Sequence, residues 1–306
     1  MIAVGIVLFN PDNIERFLSC IEMARKQIDT IYIFDNSTKK IDISFPKNII
    51  YISEGKNKGV AYALNRIMEK AEADGFSWVV TMDQDSVLPL GMIDDFSKYI
   101  FIDNKIGIIC PQVIDSRRSY MSVNANNSEM KYISFCITSG SCTSISAWKA
   151  IGKFDEWLFV DLVDNEFCKR LTVSGYKILQ IEKWILNQEF GNIVPKPKRQ
   201  QEFWLRLSQI LHNQNIAKFS YKKSVSPLRV YYTNRNIIYV NRKLKKYGPI
   251  GYRENYNCNG YLGFLFSFCL PSLLRAENKR KVFTAICKGI VDGKKAKVEC
   301  WIIGEM

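Results

Sequence analysis

From its first residues the chain alternates short apolar, β-rich runs with longer stretches whose apolar positions recur at helical spacing. The strand candidates are Ile2–Phe9, Thr30–Phe34, Ile49–Ser53, Trp78–Met82 and Ile106–Pro111. Between them, Asn13–Lys26 and Val60–Ala73 read as amphipathic helices, and Met92–Phe101 as a shorter one. Strand, helix, strand in repetition predicts an α/β fold with a mostly parallel sheet covered by helices on both faces. A second group follows: the run Tyr132–Ile145, the segment Phe154–Phe159, a helix over Asp164–Ser174 and a strand over Lys177–Ile181. Beyond it the pattern turns helical, over Phe203–Phe219, Leu228–Lys246 and Lys281–Val291. The charge-free stretch Asn255–Leu274 carries too many Asn, Gly, Pro and Ser residues for a membrane span and reads as a core or interfacial helix.

Composition divides the chain. Its 306 residues, 47% hydrophobic, suffice for one large domain with an extension or for two ordinary domains. Residues 1–190 carry 21 Lys+Arg against 24 Asp+Glu, a net of −3, whereas residues 191–306 carry 22 against 6, a net of +16. The break predicts a first domain over 1–190 and a basic, mainly helical region over 191–306. Met1–Phe9 lacks a basic leader and a cleavage site and reads as a buried strand, and nine cysteines without a Cys-x-x-Cys pair suit reduced core thiols. The expected compartment is the cytoplasm.

One histidine, His212, excludes histidine-rich zinc sites, and its place between Leu211 and Asn213 in a predicted helix suits a structural or surface role. Any general base is therefore expected to be a carboxylate. Neither Gly-x-Gly-x-x-Gly nor the phosphate-loop motif occurs, which argues against a dehydrogenase or P-loop enzyme. Asp83-Gln84-Asp85, directly behind the run Phe76–Met82, places two carboxylates at a strand end, suited to a divalent cation on a diphosphate; a pair of exposed acids in a turn is the alternative. Asp35-Asn36-Ser37 ends the second strand, where a carboxylate can accept the imide hydrogen of uracil or thymine, and Asn10-Pro11 flanks the same base. Asn57-Lys58-Gly59-Val60-Ala61 opens a helix whose amides favour an anion, or is a simple loop with a lysine.

Asp161 and Asp164 form a second acidic group before a helix; one is expected to cap it, and Asp164 is the better base candidate. Glu166 and Arg170, four apart, read as a surface pair. Arg229–Asn236 and Arg242–Tyr247 interleave aromatics with cations, suited to nucleic acid, a phosphorylated acceptor or an anionic membrane; for the lysines a solvated helix face is the alternative.

Taken in order, Val7-Leu8-Phe9-Asn10-Pro11, Asp35-Asn36-Ser37, Asn57–Ala61 with Asn65, Met82–Ser86, Thr138–Ser141, Phe154-Asp155-Glu156 through Asp161 and Asp164, and Tyr231-Tyr232 with Arg235-Asn236 resemble one family. It is the inverting family 2 glycosyltransferases with the Rossmann-like GT-A fold, in particular the bacterial rhamnosyltransferase branch. The resemblance implies that Phe9, Asn10, Pro11, Asp35, Asn57, Gly59, Asp83, Gln84 and Asp85 bind a nucleotide sugar. Asp85, with Asp83, holds the diphosphate through Mg2+ or Mn2+. It makes Asp164 the base of a single in-line displacement, and places Ser139, Gly140, Asp161, Gln188, Arg235 and Asn236 near the sugar or acceptor. Many relatives carry His-His before Glu-x-Gly after the catalytic helix; here the segment reads Leu186-Asn187-Gln188-Glu189-Phe190-Gly191, which predicts weak or donor-dependent metal binding.

The expected donor is dTDP-rhamnose, or a UDP-hexose or UDP-galactofuranose, and the acceptor a lipid-linked or cell-surface polysaccharide precursor. The basic region is expected at the inner membrane face, and nucleic acid is not an expected partner. A nucleotidyltransferase, or a binding module using only the basic third, are the rival readings.

Overall fold

The computed structural model describes residues 1–304 except 12, 40, 42, 119–120, 122–128 and 192. In chain order its first half runs β1 (Ile2–Leu8), α1 (Ile14–Arg25), β2 (Ile31–Asp35), β3 (Ile49–Ser53), α2 (Val60–Ala73), β4 (Trp78–Asp83), α3 (Met92–Tyr99) and β5 (Ile106–Ile114). Then come β6 (Met130–Ile133), β7 (Ser141–Ser144), α4 (Ile145–Ala150), α5 (Val163–Val173), β8 (Lys177–Asn187) and β9 (Ile193–Pro195). The last third holds α6 (Lys198–Ile210), α7 (Gln214–Ala217), β10 (Tyr221–Lys223), α8 (Pro227–Lys243), α9 (Tyr252–Tyr256), α10 (Gly260–Phe264), α11 (Leu270–Arg275) and α12 (Lys279–Lys295).

Eight strands form one sheet in the order β3-β2-β1-β4-β7-β5-β8-β6. β1 to β4 are mutually parallel and β5 pairs parallel with β8, while β7 and β6 run against their neighbours. β1 and β2 are apolar on both faces because helices cover both, as parallel strands require. α1 and α3 close one face around Phe17, Met92 and Phe96. On the other face α2, α4, α5, α8 and α12 share a single core that includes Ile67, Trp148, Phe167, Ile237 and Ile286. α8 and α12 cross closely because Gly289 and Gly293 bring no side chain: a Cβ there would stand 2.5 Å from the Tyr231 carbonyl and 2.6 Å from that of Arg235.

The predicted run Tyr132–Ile145 is two strands, β6 at the sheet edge and β7 inserted antiparallel between β4 and β5. The helix predicted over Phe203–Phe219 stops at Ile210, and His212 has a left-handed backbone, φ 45°, in an exposed turn rather than in a helix. There the Asn213 side chain caps the Asn215 N–H and its carbonyl takes the Ser208 hydroxyl, bonds that compete with helix continuation. Among the described residues no helix is long and apolar enough to cross a membrane.

Candidate active site

Parallel register sets the site. Leu8 lies level with Asp35, Asp35 with Ser53, and Val7 opposite Asp83, so the ends of β1 to β4 open on one edge. Asp35 is fully buried there. One of its oxygens accepts the Ser37 N–H at 2.8 Å and the other the Tyr51 hydroxyl. Burial, then this bond, pushes the Tyr51 phenol up to about 12, so it stays a donor. Each carboxylate oxygen keeps a second lone pair. Beside it the Phe9 N–H donates to Gln84 Oε1 at 2.7 Å and the Asn10 N–H to Ser37 Oγ at 2.7 Å, with Pro11 following. Gln84 thus holds Phe9, and Ser37 joins Asn10 to Asp35, the two links meeting at the Phe9–Asn10 peptide.

At the start of α2 the Lys58 N–H donates to Asn36 Oδ1 at 3.2 Å, Gly59 N–H to Asn57 Oδ1 at 2.9 Å and Val60 N–H to the Phe159 carbonyl at 2.7 Å. These three amides are taken up inside the protein, and the last of them docks the segment around Phe159 on the helix. Only glycine fits at Gly59: its φ is 94°, and a Cβ would lie 2.6 Å from the Phe159 carbonyl oxygen.

At the end of β4 the Asp83 N–H donates to Ser139 Oγ at 3.2 Å, and Asp83 Oδ2 accepts from Gln188 Nε2 at 2.9 Å. Gln188 Oε1 in turn accepts the buried Ser86 hydroxyl. Burial, then the charge of Asp85, pushes Asp83 up to about 6; burial also raises Asp85, with Arg16 opposing. Arg16 Nε donates to the Asp85 carbonyl at 2.6 Å, and Glu189 sits between Arg16 at 2.6 Å and Arg117 at 2.9 Å. The Cys20 thiol faces the Asp83 carbonyl at 3.8 Å and is pushed up to about 12 by burial, so it stays protonated. Gln188 and Arg229 oppose the rise at Asp83, and Arg16 and Arg117 the rise at Asp85, without cancelling it, and two such hard carboxylates suit Mg2+ or Mn2+. Among the described residues no group of three His, Cys, Asp or Glu surrounds them, so a cation there would take its other ligands from substrate oxygens, water or neutral side chains.

The second acidic group stands on a strained loop. Asp161 and Leu162 both have φ 65°, a left-handed conformation that costs non-glycine residues of order 1–3 kcal/mol each. α8 holds it in place. Buried Asn236 donates through Nδ2 to the carbonyls of Val160 at 2.7 Å and Asp161 at 2.9 Å. Arg229 takes the Asp161 carboxylate with Nε at 2.8 Å and with Nη2, and Thr233 adds a hydroxyl at 3.3 Å. Arg235 Nη2 donates to the Trp157 carbonyl at 2.8 Å, its guanidinium lying 3.8 Å over the Trp157 ring and 4.7 Å over that of Tyr232. From α2, buried Asn65 accepts the Trp148 indole N–H at 3.1 Å and the Phe154 N–H at 3.0 Å, anchoring the start of the same loop. Asp161, Arg235 and Asn236 therefore meet the loop itself.

Asp164 lies in the first turn of α5 and accepts its neighbour's Asn165 N–H at 2.9 Å. Burial pushes it up to about 7. It faces a small cavity shared with Cys136, Thr138 and Ser141. The turn Thr138–Ser141 links the two acidic groups. Thr138 and Ser141 line the Asp164 side, Ser139 holds the Asp83 amide, and Gly140 N–H donates to the Thr81 carbonyl at 2.8 Å.

Glu166 and Arg170 correct another expectation, for both are buried. Arg170 binds Glu166 through two nitrogens at 2.6 Å each and also the Lys153 carbonyl at 2.7 Å, while Lys243 reaches Glu166 at 2.7 Å and Asp155 at 2.6 Å. Removing one partner of such a pair typically costs about 3–5 kcal/mol, against a few tenths for an exposed one. The pattern Glu-x-x-x-Arg is the same in both settings, so spacing alone does not reveal burial. Arg16 and Tyr51 carry no signal in the sequence, whereas Arg229 and Thr233 belong to the cation-rich aromatic run Arg229–Asn236 and hold Asp161.

Comparison with known proteins adds family and fold. Residues 4–145 match the model of the family described as Glycosyl transferase family 2. The chain is 27% identical over 295 residues to the dTDP-rhamnosyl transferase RfbF of Shigella flexneri, covering 90% of this chain and 89% of that one. In fold it is similar to a mannosyltransferase from Pyrobaculum calidifontis in complex with GDP-Man and Mn2+, with a TM-score of 0.53, 12% identity, and coverage of 97% of this chain and 76% of that one. Over residues 4–145 the chain thus matches the family 2 glycosyltransferases, its mostly parallel α/β fold is similar to that of GT-A glycosyltransferases, and along most of its length it is similar to a dTDP-rhamnosyl transferase.

Proposed function

We propose that the protein transfers L-rhamnose from dTDP-rhamnose, with inversion, to a hydroxyl of a lipid-linked or cell-surface polysaccharide precursor at the cytoplasmic face of the inner membrane. The observation that carries the reading is the separation of two acidic groups by the Thr138–Ser141 turn. Asp83 and Asp85 stand with the base-reading Asp35 on the strand ends, and Asp164 stands apart with its carboxyl near neutral pH. The name of the Shigella flexneri relative supports the donor.

Asp35 accepts the thymine imide hydrogen, with Phe9 and Asn10 beside the ring. Asp83 and Asp85 hold a divalent cation, whose chemistry when bound is to neutralise charge on the departing diphosphate. Asp164 takes the proton of the acceptor hydroxyl. The acceptor oxygen then forms its bond to the anomeric carbon as the bond from that carbon to the diphosphate oxygen breaks, and dTDP leaves with the bonding pair. A carboxyl near 7 is matched to this work at neutral pH, and such help is typically worth about 10²–10⁴ in rate. Residues 1–190 supply these groups, while residues 191–306 brace the Asp161–Asp164 loop and serve the acceptor.

Incubation with a panel of sugar nucleotides tests the reading. Release of dTDP from dTDP-rhamnose with sugar transfer is the expected result. Turnover with UDP-hexose or UDP-galactofuranose instead changes the donor, since uracil presents the same imide to Asp35, and release of pyrophosphate overturns the reaction class.

A further inference from the structure

The segment from α10 through α11 carries apolar residues it does not bury. Leu262 is 73% exposed, Phe266 70%, Leu270 44% and Leu274 61%, and Phe283 of α12 is exposed by 57% beside them. Their spacing is four. On an α-helix each step of four drifts about 40° around the axis. Between α10 and α11, however, Leu265–Cys269 forms a π-helical turn, whose wider winding turns that drift back and keeps the residues on one side. Next to this stripe a cavity of ≈ 260 Å³ opens between the segment and α12, lined by Leu265, Phe266, Leu270, Leu273, Phe283 and Ile286 together with Cys269.

Charge around the stripe is one-sided. From residue 255 to 291 the chain has five cations and one carboxylate, Glu277. Lys279, Arg280 and Lys281 are exposed in the first turn of α12, which has no acidic residue. Cations at a helix amino terminus oppose the helix dipole, so this placement gains nothing for the helix itself and suits an external anion.

The same segment is tied to the catalytic loop. Asn255 and Asn165 exchange amide hydrogen bonds of 2.8 and 3.2 Å, one residue from Asp164. Tyr256 then packs on Phe264 at 4.9 Å and Phe268 at 5.1 Å.

We propose that the face formed by Leu262, Phe266, Leu270, Leu274 and Phe283, rimmed by Lys279, Arg280 and Lys281, docks in the plane of an anionic phospholipid bilayer. An apolar stripe bordered by cations matches the boundary between acyl chains and anionic headgroups. The inference deepens the proposed function by naming the partner of the carboxyl-terminal region, and rests on it only for the purpose of docking. In that setting the bilayer orients α5 towards an acceptor held in the membrane.

Flotation of the full chain with vesicles of phosphatidylglycerol and phosphatidylethanolamine, and with vesicles of phosphatidylcholine alone, tests it. The expected result is binding to the anionic vesicles that weakens at 0.5 M salt. The triple variant Leu262→Ser/Phe266→Ser/Leu274→Ser should lose at least tenfold in partition with its thermal midpoint unchanged. Lys279→Glu/Arg280→Glu/Lys281→Glu should lose anionic selectivity by a similar factor. No flotation of the wild type, flotation of either variant equal to that of the wild type, or a dimer in sedimentation that the serine variant dissolves would each overturn the proposal. Flotation as expected without turnover of any sugar nucleotide would instead overturn the proposed function and leave the membrane face standing.

Discussion

The two halves of the site are held in opposite ways. On the proposed donor side, Asp35 and Asp83 sit at strand ends with Asp85 two residues on, so the register of β1, β2 and β4 places them, and short links such as Ser37 to Asp35 finish the work. On the proposed acceptor side, the Phe159–Asp164 loop has two left-handed residues and is no strand itself, and its shape is held by Arg229, Thr233, Arg235 and Asn236 of α8. A sheet can place a nucleotide site by itself, whereas a base on a strained loop needs a brace from a part of the chain about 70 residues away.

The largest expected effect isolates the acceptor half. Asp164→Asn should lower transfer by about 10²–10⁴ and leave donor affinity, measured by calorimetry, within a factor of two. Loss of donor binding would show that the halves are not separable. The same residue governs pH. Wild-type kcat should rise as Asp164 ionises around pH 7. Its folded value lies above the ordinary 3.8, so the folded state holds this proton more tightly. Its stabilising contribution is therefore complete below about pH 4 and is lost as pH rises to about 7. Asp164→Asn should accordingly be more stable than wild type in urea at pH 8 and indistinguishable at pH 4; the reverse order would refute the raised value.

Gly59→Ala should break both halves at once, because its Cβ meets the Phe159 carbonyl at 2.6 Å on a backbone of φ 94°. A loss of about 2–4 kcal/mol in urea unfolding is expected, with kcat falling more than donor affinity. Asn236→Ala comes next. It leaves the Val160 and Asp161 carbonyls without their donor, at about 1–3 kcal/mol, and should lower kcat about tenfold while leaving donor affinity unchanged. A change confined to donor affinity would place Asn236 on the wrong side of the comparison. The smallest effect belongs to Gln188→His. An imidazole in place of the amide should tighten Mn2+ in the absence of donor by about tenfold in a calorimetric titration, with kcat at saturating metal changed less than threefold.

How much was readable from sequence follows the same division. The strand ends that carry Asp35 and Asp83, with Asp85 just beyond, are legible because a run such as Trp78–Met82 announces a buried strand. The strand β7, which follows the turn carrying Ser139 and Gly140, is merged with β6 in the run Tyr132–Ile145, because a β-rich pattern does not tell which position in the sheet each part takes. Arg235 and Asn236 were visible as a polar pair in an apolar helix, but their targets, the Trp157, Val160 and Asp161 carbonyls, are backbone atoms with no signature in the sequence. Glu166 and Arg170 show the same limit, because burial is set by α8 and α4 packing over them.

Gln188 gives the carboxylate pair a chemical filter. Imidazole and thiolate are the ligands that let zinc, copper and nickel outcompete harder ions. Here the amide of Gln188 takes up Asp83 Oδ2, the neighbouring Cys20 is held as a thiol, and the lone histidine lies in an exposed turn at residue 212. The described neighbours thus leave the pair with oxygen donors. A cation seated there as proposed would be chosen without the nitrogen and sulfur ligands that most widen the advantage of zinc over Mg2+ or Mn2+. The excess of the harder ion in the cell, rather than the grip of the site, would then decide which one is carried.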